Sequence, residues 1–156
     1  MGESMKSNKI AILVKIASLA FEKIANPILA EYDLTASQYR VLKFLYSQRT
    51  GGARIVDIEK QCAITHPTAL GLLDNLEKKG FVSKLMNPKD ARSKVISLTE
   101  KASRMQPEVE GVGERIEELV TANLSEQERI QLIRLLQKLL NMETGERQKQ
   151  DDPFCE

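Results

Sequence analysis

Cysteine is scarce in this 156-residue chain: Cys62 and Cys155 stand far apart, without metal-ligand spacing. No disulfide framework is implied, and a reducing compartment is natural. Histidine is scarcer still, with His66 alone, so a zinc site would need ligands that the chain hardly offers. No apolar run approaches the ~18 residues needed to span a membrane. The opening Met1-Gly2-Glu3-Ser4-Met5-Lys6 lacks the apolar core and small-residue cleavage site of a signal peptide. The expectation is a soluble cytoplasmic protein with no membrane partner. A Ser/His/Asp set, a phosphate-cradling glycine loop and a metal cluster are all missing, which argues against an enzyme and a bound cofactor. A charge excess is missing too: 23 Lys+Arg against 22 Asp+Glu give +1, unlike a histone-like or polybasic protein.

What is present is a division of charge along the chain. Residues 1–34 are neutral overall, residues 35–104 carry a net +7, and residues 105–156 carry a net −6. A basic middle with an acidic end is the asymmetry expected when one face meets a polyanion. The length suffices for one domain, 1–156, with its own core.

Helical periodicity dominates. Ile10 to Ala30 carries one stripe of Ile10, Leu13, Val14, Ala17, Phe21 and Ile24 and another of Ile12, Ile16 and Leu19. A surface helix needs only one stripe, so one is expected on its own domain and the other on a second chain. Asn26-Pro27 should kink or interrupt this helix. Thr35-Ala36-Ser37-Gln38 has capping-box spacing and opens a helix to about Gln48, closed by Gly51-Gly52. A short helix from about Ile55 to Gln61 offers Val56 and Ile58 to the core. After a tight junction at Ala63-Ile64-Thr65, Pro67 lies in the first turn of a helix reaching Lys79, with Ala69, Leu72, Leu73 and Leu76 on one side. Gly80 supplies its stop.

Two strand-like runs follow, Phe81–Leu85 and Lys94–Leu98, joined by eight residues containing Asn87-Pro88, which favours a type I turn. Thr99 caps the next helix, which Pro107, Gly111 and Gly113 should bend or weaken. Ser125-Glu126-Gln127-Glu128 is a second capping box. The helix it opens, to about Met142, has more apolar positions than one face requires. From residue 143 the chain is polar and aperiodic, the pattern of a flexible tail.

Short helix, sharp turn, second helix and hairpin place residues 55–98 as a winged helix-turn-helix in a mainly α fold with a small β-hairpin. The second helix would enter the major groove of double-stranded DNA, with His66, Thr68, Leu70, Gly71 and Asn75 on its solvent face. The hairpin adds Lys84, Lys89, Arg92 and Lys94, positive charge on a thin protrusion suited to a narrow minor groove.

These residues also carry a resemblance. Leu34-Thr35 with Gln38-Tyr39-Arg40-Val41-Leu42, Pro67-Thr68 with Leu72-Leu73-Asp74-Asn75-Leu76-Glu77-Lys78-Lys79-Gly80-Phe81-Val82, and Asp90-Ala91-Arg92-Ser93-Lys94-Val95-Ile96-Ser97-Leu98-Thr99 resemble the MarR (multiple antibiotic resistance regulator) family. The Asp-x-Arg wing followed by an apolar strand and Leu-Thr is the most specific piece. The resemblance implies a homodimeric bacterial regulator, most often a repressor, on a pseudo-palindromic operator. It implies a winged helix-turn-helix at about 34–99, with terminal helices at about 8–33 and 100–142 forming the dimerisation region. It carries over Asp90 and Arg92 as wing residues, Arg92 as the minor-groove probe, and Thr68 and Asn75 as groove-facing positions. It further implies a small effector, aromatic or phenolic, between dimerisation helices and reading head. Ile16, Tyr39 and Met105 could line such a pocket or serve ordinary core packing.

The chain departs from the family pattern where relatives often place polar and basic residues after Pro-Thr: here stand Leu70 and Gly71, and Asn75 replaces a frequent arginine. From Thr65 to Lys79 the charged residues are Asp74, Glu77, Lys78 and Lys79, summing to zero. Guanine reading by arginine is therefore missing from these positions. Asn75 suits adenine, Leu70 a thymine methyl, and Gly71 a close approach at roughly 1 kcal/mol of helix propensity, so an A·T-biased operator is expected. The neutral helix also leaves open a protein-interaction module that keeps the winged fold without reading an operator. Cys62 and His66 stand four apart, but the helix breaks between them, so Cys62 reads as a buried structural cysteine. Cys155 reads as an adventitious thiol on the tail.

Overall fold

The computed structural model describes residues 7–87 and 89–141, with the side chains of 91–93 also outside the description. The tail from 143, Cys155 and Pro88 lie outside the described residues. In chain order the elements are α1 (Ile10–Ala30), α2 (Ala36–Ser47), β1 (Gly52–Arg54), α3 (Ile55–Cys62), α4 (His66–Lys78), β2 (Val82–Asn87), β3 (Asp90–Leu98), α5 (Glu100–Val120) and α6 (Glu126–Leu139). The chain divides into two compact units, one through Leu119 and the other from Val120 onward.

In the first unit, local sequence signals set the helix starts. Thr35 Oγ1 accepts from the Gln38 N–H at 3.2 Å while Gln38 Oε1 accepts from the Thr35 N–H at 3.1 Å, a complete capping box. Thr65 caps α4, with Pro67 in its first turn. Ala63, at φ 52°, takes the left-handed conformation that ends α3 and reverses the chain toward α4. Gly80, at φ 81°, ends the path out of α4. The hydroxyl of Thr99 donates to the Gly80 carbonyl at 2.6 Å and accepts from the Ala102 N–H at 3.2 Å, capping α5.

The core lies among α2, α3, α4, the sheet and α5: Val41, Leu42, Leu45, Ile58, Leu73, Leu76, Phe81, Ile96 and Val109 are buried. Tyr46 joins α2 to α5 by donating to the Ala102 carbonyl at 2.7 Å. Burial, then Glu110, pushes its hydroxyl up to about 12. Val56 is exposed, contrary to expectation, because α3 turns Ile58 inward and leaves Val56 facing outward.

The prolines expected to kink, bend or weaken two helices do not interrupt them, and the hairpin connection is shorter than expected. Helix α1 continues through Pro27 to Ala30. Proline forfeits one hydrogen bond near the helix end, and Asn26 fastens this turn by accepting from the Ala36 N–H at 2.9 Å. Helix α5 likewise runs unbroken through Pro107, Gly111 and Gly113. At Gly113 the missing Cβ makes room: an added one would overlap the Tyr39 phenol. The hairpin connection is residues 88–89 rather than eight residues, because both strands extend toward the tip.

The sheet is three-stranded and antiparallel, in the order β1-β3-β2. The sequence reading missed β1, whose Gly52, Ala53 and Arg54 pair with Ser97, Ile96 and Val95. Beyond Val95, β3 pairs with β2 alone, and the register then jumps: Met86 faces Lys94, but Asn87 faces Asp90. Ala91, Arg92 and Ser93 therefore fall where the β2–β3 register shifts, a bulge or irregularity in the ladder. Bulges re-aim a strand and are common beside functional sites.

The expectation that one stripe of α1 packs on its own domain is also corrected. Only Ala25 and Leu29 of α1 are buried. Both stripes lie open, including Ile10, Leu13, Val14, Phe21 and Ile24 from one and Ile12, Ile16 and Leu19 from the other.

In the second unit, Ser125 and Glu128 form the other capping box, at 3.1 Å and 3.0 Å. The backbone hydrogen bond at Ser125 holds the Glu128 carboxyl below its usual range. Helix α6 buries none of its residues: Ile130, Leu132, Ile133, Leu135, Leu136 and Leu139 are between 37% and 57% exposed.

Candidate nucleic-acid interface

Helix α4 has two unlike faces. Ala69, Leu73 and Leu76 are fully buried, and their spacing by three and four residues makes one stripe. Thr68, Gly71 and Asn75 have the same spacing on the outward side, and all are exposed. The two remaining candidates on this helix are placed otherwise. His66 Nδ1 lies 2.8 Å from Glu59 Oε1 on α3, so its ring spans the turn between the helices. Leu70 is half-buried and borders the outward face.

The wing begins where β2 leaves α4. Lys84 is mostly buried, and its ammonium is paired with Asp74 of α4, while its backbone N–H donates to Glu77 at 3.3 Å. Hydrogen bonding from Lys84, together with its charge, holds the Asp74 carboxyl below the usual range. Lys84 therefore fastens the wing to the helix and neutralises an acid beside the outward face. Lys89, Asp90 and Lys94 are exposed farther out. The Lys89 N–H donates to Asn87 Oδ1 at 3.0 Å, which shapes the tip. The backbone of Arg92 lies in the β3 bulge; its side chain lies outside the described residues. Leu85 and Met86, which the charge pattern overlooked, are also exposed on the wing, at 53% and 65%.

The suggested effector residues are only partly brought together. Tyr39 and Met105 pack against the common core, and the Tyr39 hydroxyl is pushed up by burial and then by Glu110, Glu114 and Glu117. Ile16 lies on the open face of α1. A cleft of about 320 Å³ is instead lined by Glu22, Asn26, Ala30, Leu34, Thr35, Ala36 and Ser37, none of them candidates. Cys62 is half-buried, and burial raises its thiol while Arg40 opposes that shift. Among the described residues no helix is long and apolar enough to cross a membrane, and no three His, Cys, Asp or Glu side chains are grouped to hold a metal.

Helix-turn-helix, three-stranded sheet and projecting β2–β3 ribbon define a winged helix-turn-helix protein. Residues 34–94 match the MarR family model. Solved structures align with most of the chain. A mutant MarR from E. coli complexed with operator DNA has a TM-score of 0.76 and 26% identity, over 84% of this chain and 93% of that one. The S. aureus MepR–DNA complex has a TM-score of 0.76 and 28% identity, over 86% and 98%. Bordetella bronchiseptica BpsR, whose DNA binding is regulated by 6-hydroxynicotinic acid, has a TM-score of 0.79 and 25% identity, over 91% and 100%. Residues 34–94 are thus similar to the MarR family, and most of the chain shares the fold of MarR-family regulators solved with DNA.

Proposed function

We propose that this protein is a ligand-responsive repressor that acts as a homodimer on a pseudo-palindromic operator. Helix α4 enters the major groove, and the β2–β3 wing follows the adjacent minor groove with Arg92 as its probe and Lys89, Asp90 and Lys94 around it. The observation that carries the reading is the division of α4 into a buried stripe and an open face of Thr68, Gly71 and Asn75, beside an exposed basic ribbon. His66 and Leu70 flank that face, and Lys84 supports it through Asp74.

Dimerisation is supported by the apolar side chains that α1 and α6 leave open, since monomers rarely expose large apolar patches. An effector shifts operator affinity only by preferring one spacing of the two reading heads. BpsR responds to an aromatic acid, which supports a small aromatic or phenolic effector here, with Tyr39 and Met105 as candidates at the head and Ile16 on α1.

The test is duplex binding by fluorescence anisotropy across a salt series. Log affinity should fall linearly with log salt as phosphate contacts release counterions. A complete lack of duplex binding at low salt would favour the protein-interaction module, which the balanced charge of α4 motivates.

A further inference from the structure

We infer that Gly71 is a notch in the outward face of α4 that seats the C5-methyl group of a thymine, beside an adenine held by Asn75. The inference rests on the operator-binding reading. Helical glycines lower helix stability, so each invites a reason. Gly113 has one inside the fold, the Tyr39 phenol. Gly71 has none: a Cβ added there, as at the equally open Gly111 of α5, would meet no atom within 4 Å. Gly71, however, stands on the face that the operator reading turns toward DNA. Its reason is therefore sought outside the chain, on the surface that faces a partner.

The chemistry of the notch selects its occupant. Gly71 brings no side-chain donor or acceptor, and its backbone groups lie within the helix ladder of α4. Such a surface favours an apolar group, and the apolar group on a major-groove base edge is the thymine methyl. Leu70, half-buried alongside, makes that rim apolar as well. Asn75 lies one turn farther on the same face, about 6 Å along the axis, close to two base-pair rises of about 3.4 Å. Its amide matches adenine N6 and N7. Lys84 holds the neighbouring Asp74, which tempers the repulsion that a lone carboxylate would bring to the groove.

The experiment begins with the full-length protein selecting an operator from a random duplex pool. Each thymine of the selected site is then replaced singly by deoxyuridine, and affinities are measured at fixed salt for the wild type and Gly71→Ala. One substitution per half-site should weaken the wild type about fourfold, the value of one buried methyl group. Gly71→Ala should bind the unmodified site about tenfold more weakly, melt at a higher temperature, and lose its response to that deoxyuridine. Stabilisation with unchanged affinity would overturn the inference, as would a wild type indifferent to every deoxyuridine. A pool that yields no enriched duplex would overturn the operator reading itself, and the notch with it.

Discussion

The reading head and the terminal helices solve the same problem in opposite ways. From α2 to the first half of α5, apolar side chains meet one another: Leu42, Leu45, Ile58, Leu73 and Ile96 are fully buried. Along α1 up to Ile24, and along α6, comparable side chains stay between 37% and 64% exposed. Both regions begin helices with good local signals, so the difference is not in helix formation. It lies in where the apolar face finds its partner. The head is specified by its own residues, whereas the terminal helices carry open apolar surface, which under the proposed function a second copy covers.

The comparison breaks most sharply at α6. Ile133→Glu should put an uncompensated charge in the proposed dimer interface and cost about 3–5 kcal/mol of association. Light scattering should show the mass halved, with the cooperative melting of the head retained; an unchanged mass would contradict the assignment. Leu73→Ala should do the reverse, lowering unfolding stability by about 2–5 kcal/mol through a core cavity while the associated mass is unchanged. Chemical denaturation measures the first effect and light scattering the second.

Arg92→Ala should alter neither stability nor mass, yet weaken operator binding by about 1–3 kcal/mol at matched salt. An unaltered affinity would remove Arg92 from the interface. Gly113→Ala should lower stability by about 1–3 kcal/mol through overpacking. A Tyr39→Leu background should relieve part of that loss, placing this stretch of α5 with the head energetically; simple additivity would argue otherwise.

The smallest effect is at Tyr46. Tyr46→Phe removes the hydrogen bond to Ala102 and should cost about 1 kcal/mol near neutral pH. Because the folded hydroxyl is raised to about 12, its proton favours the folded state fully below the unfolded value of about 10. That contribution is lost as pH rises from there through the folded value. The variant should therefore lose less stability than the wild type over this alkaline range, which denaturation at several pH values will reveal.

What the sequence made legible was local. The boxes at Thr35/Gln38 and Ser125/Glu128 span four residues, and the recognition-helix stripe follows from the helical repeat alone. What stayed hidden lies where distant residues decide. Gly113 weakens an isolated helix, but in the fold it admits Tyr39 from α2. Strand β1 has only three residues and little strand propensity, and it exists because β3, far along the chain, offers its edge. The same holds at the candidate site. Thr68, Gly71 and Asn75 share an outward face because spacing dictates it. The attachment of His66 to Glu59 and of Lys84 to Asp74 depends on how the turn and wing fold back, which composition does not encode.

The bulge in β3 has a mechanical consequence. Three residues, Ala91 to Ser93, are taken up between Lys94 and Asp90 without a matching length of β2. As strand, they amount to about 10 Å of chain at roughly 3.3 Å per residue. This extra length carries the tip outward from a ladder that is in regular register from Lys94 back to Leu98. Under the proposed function, the reach of the wing into a groove is therefore set by the length of chain around Arg92 and not by the rest of the sheet.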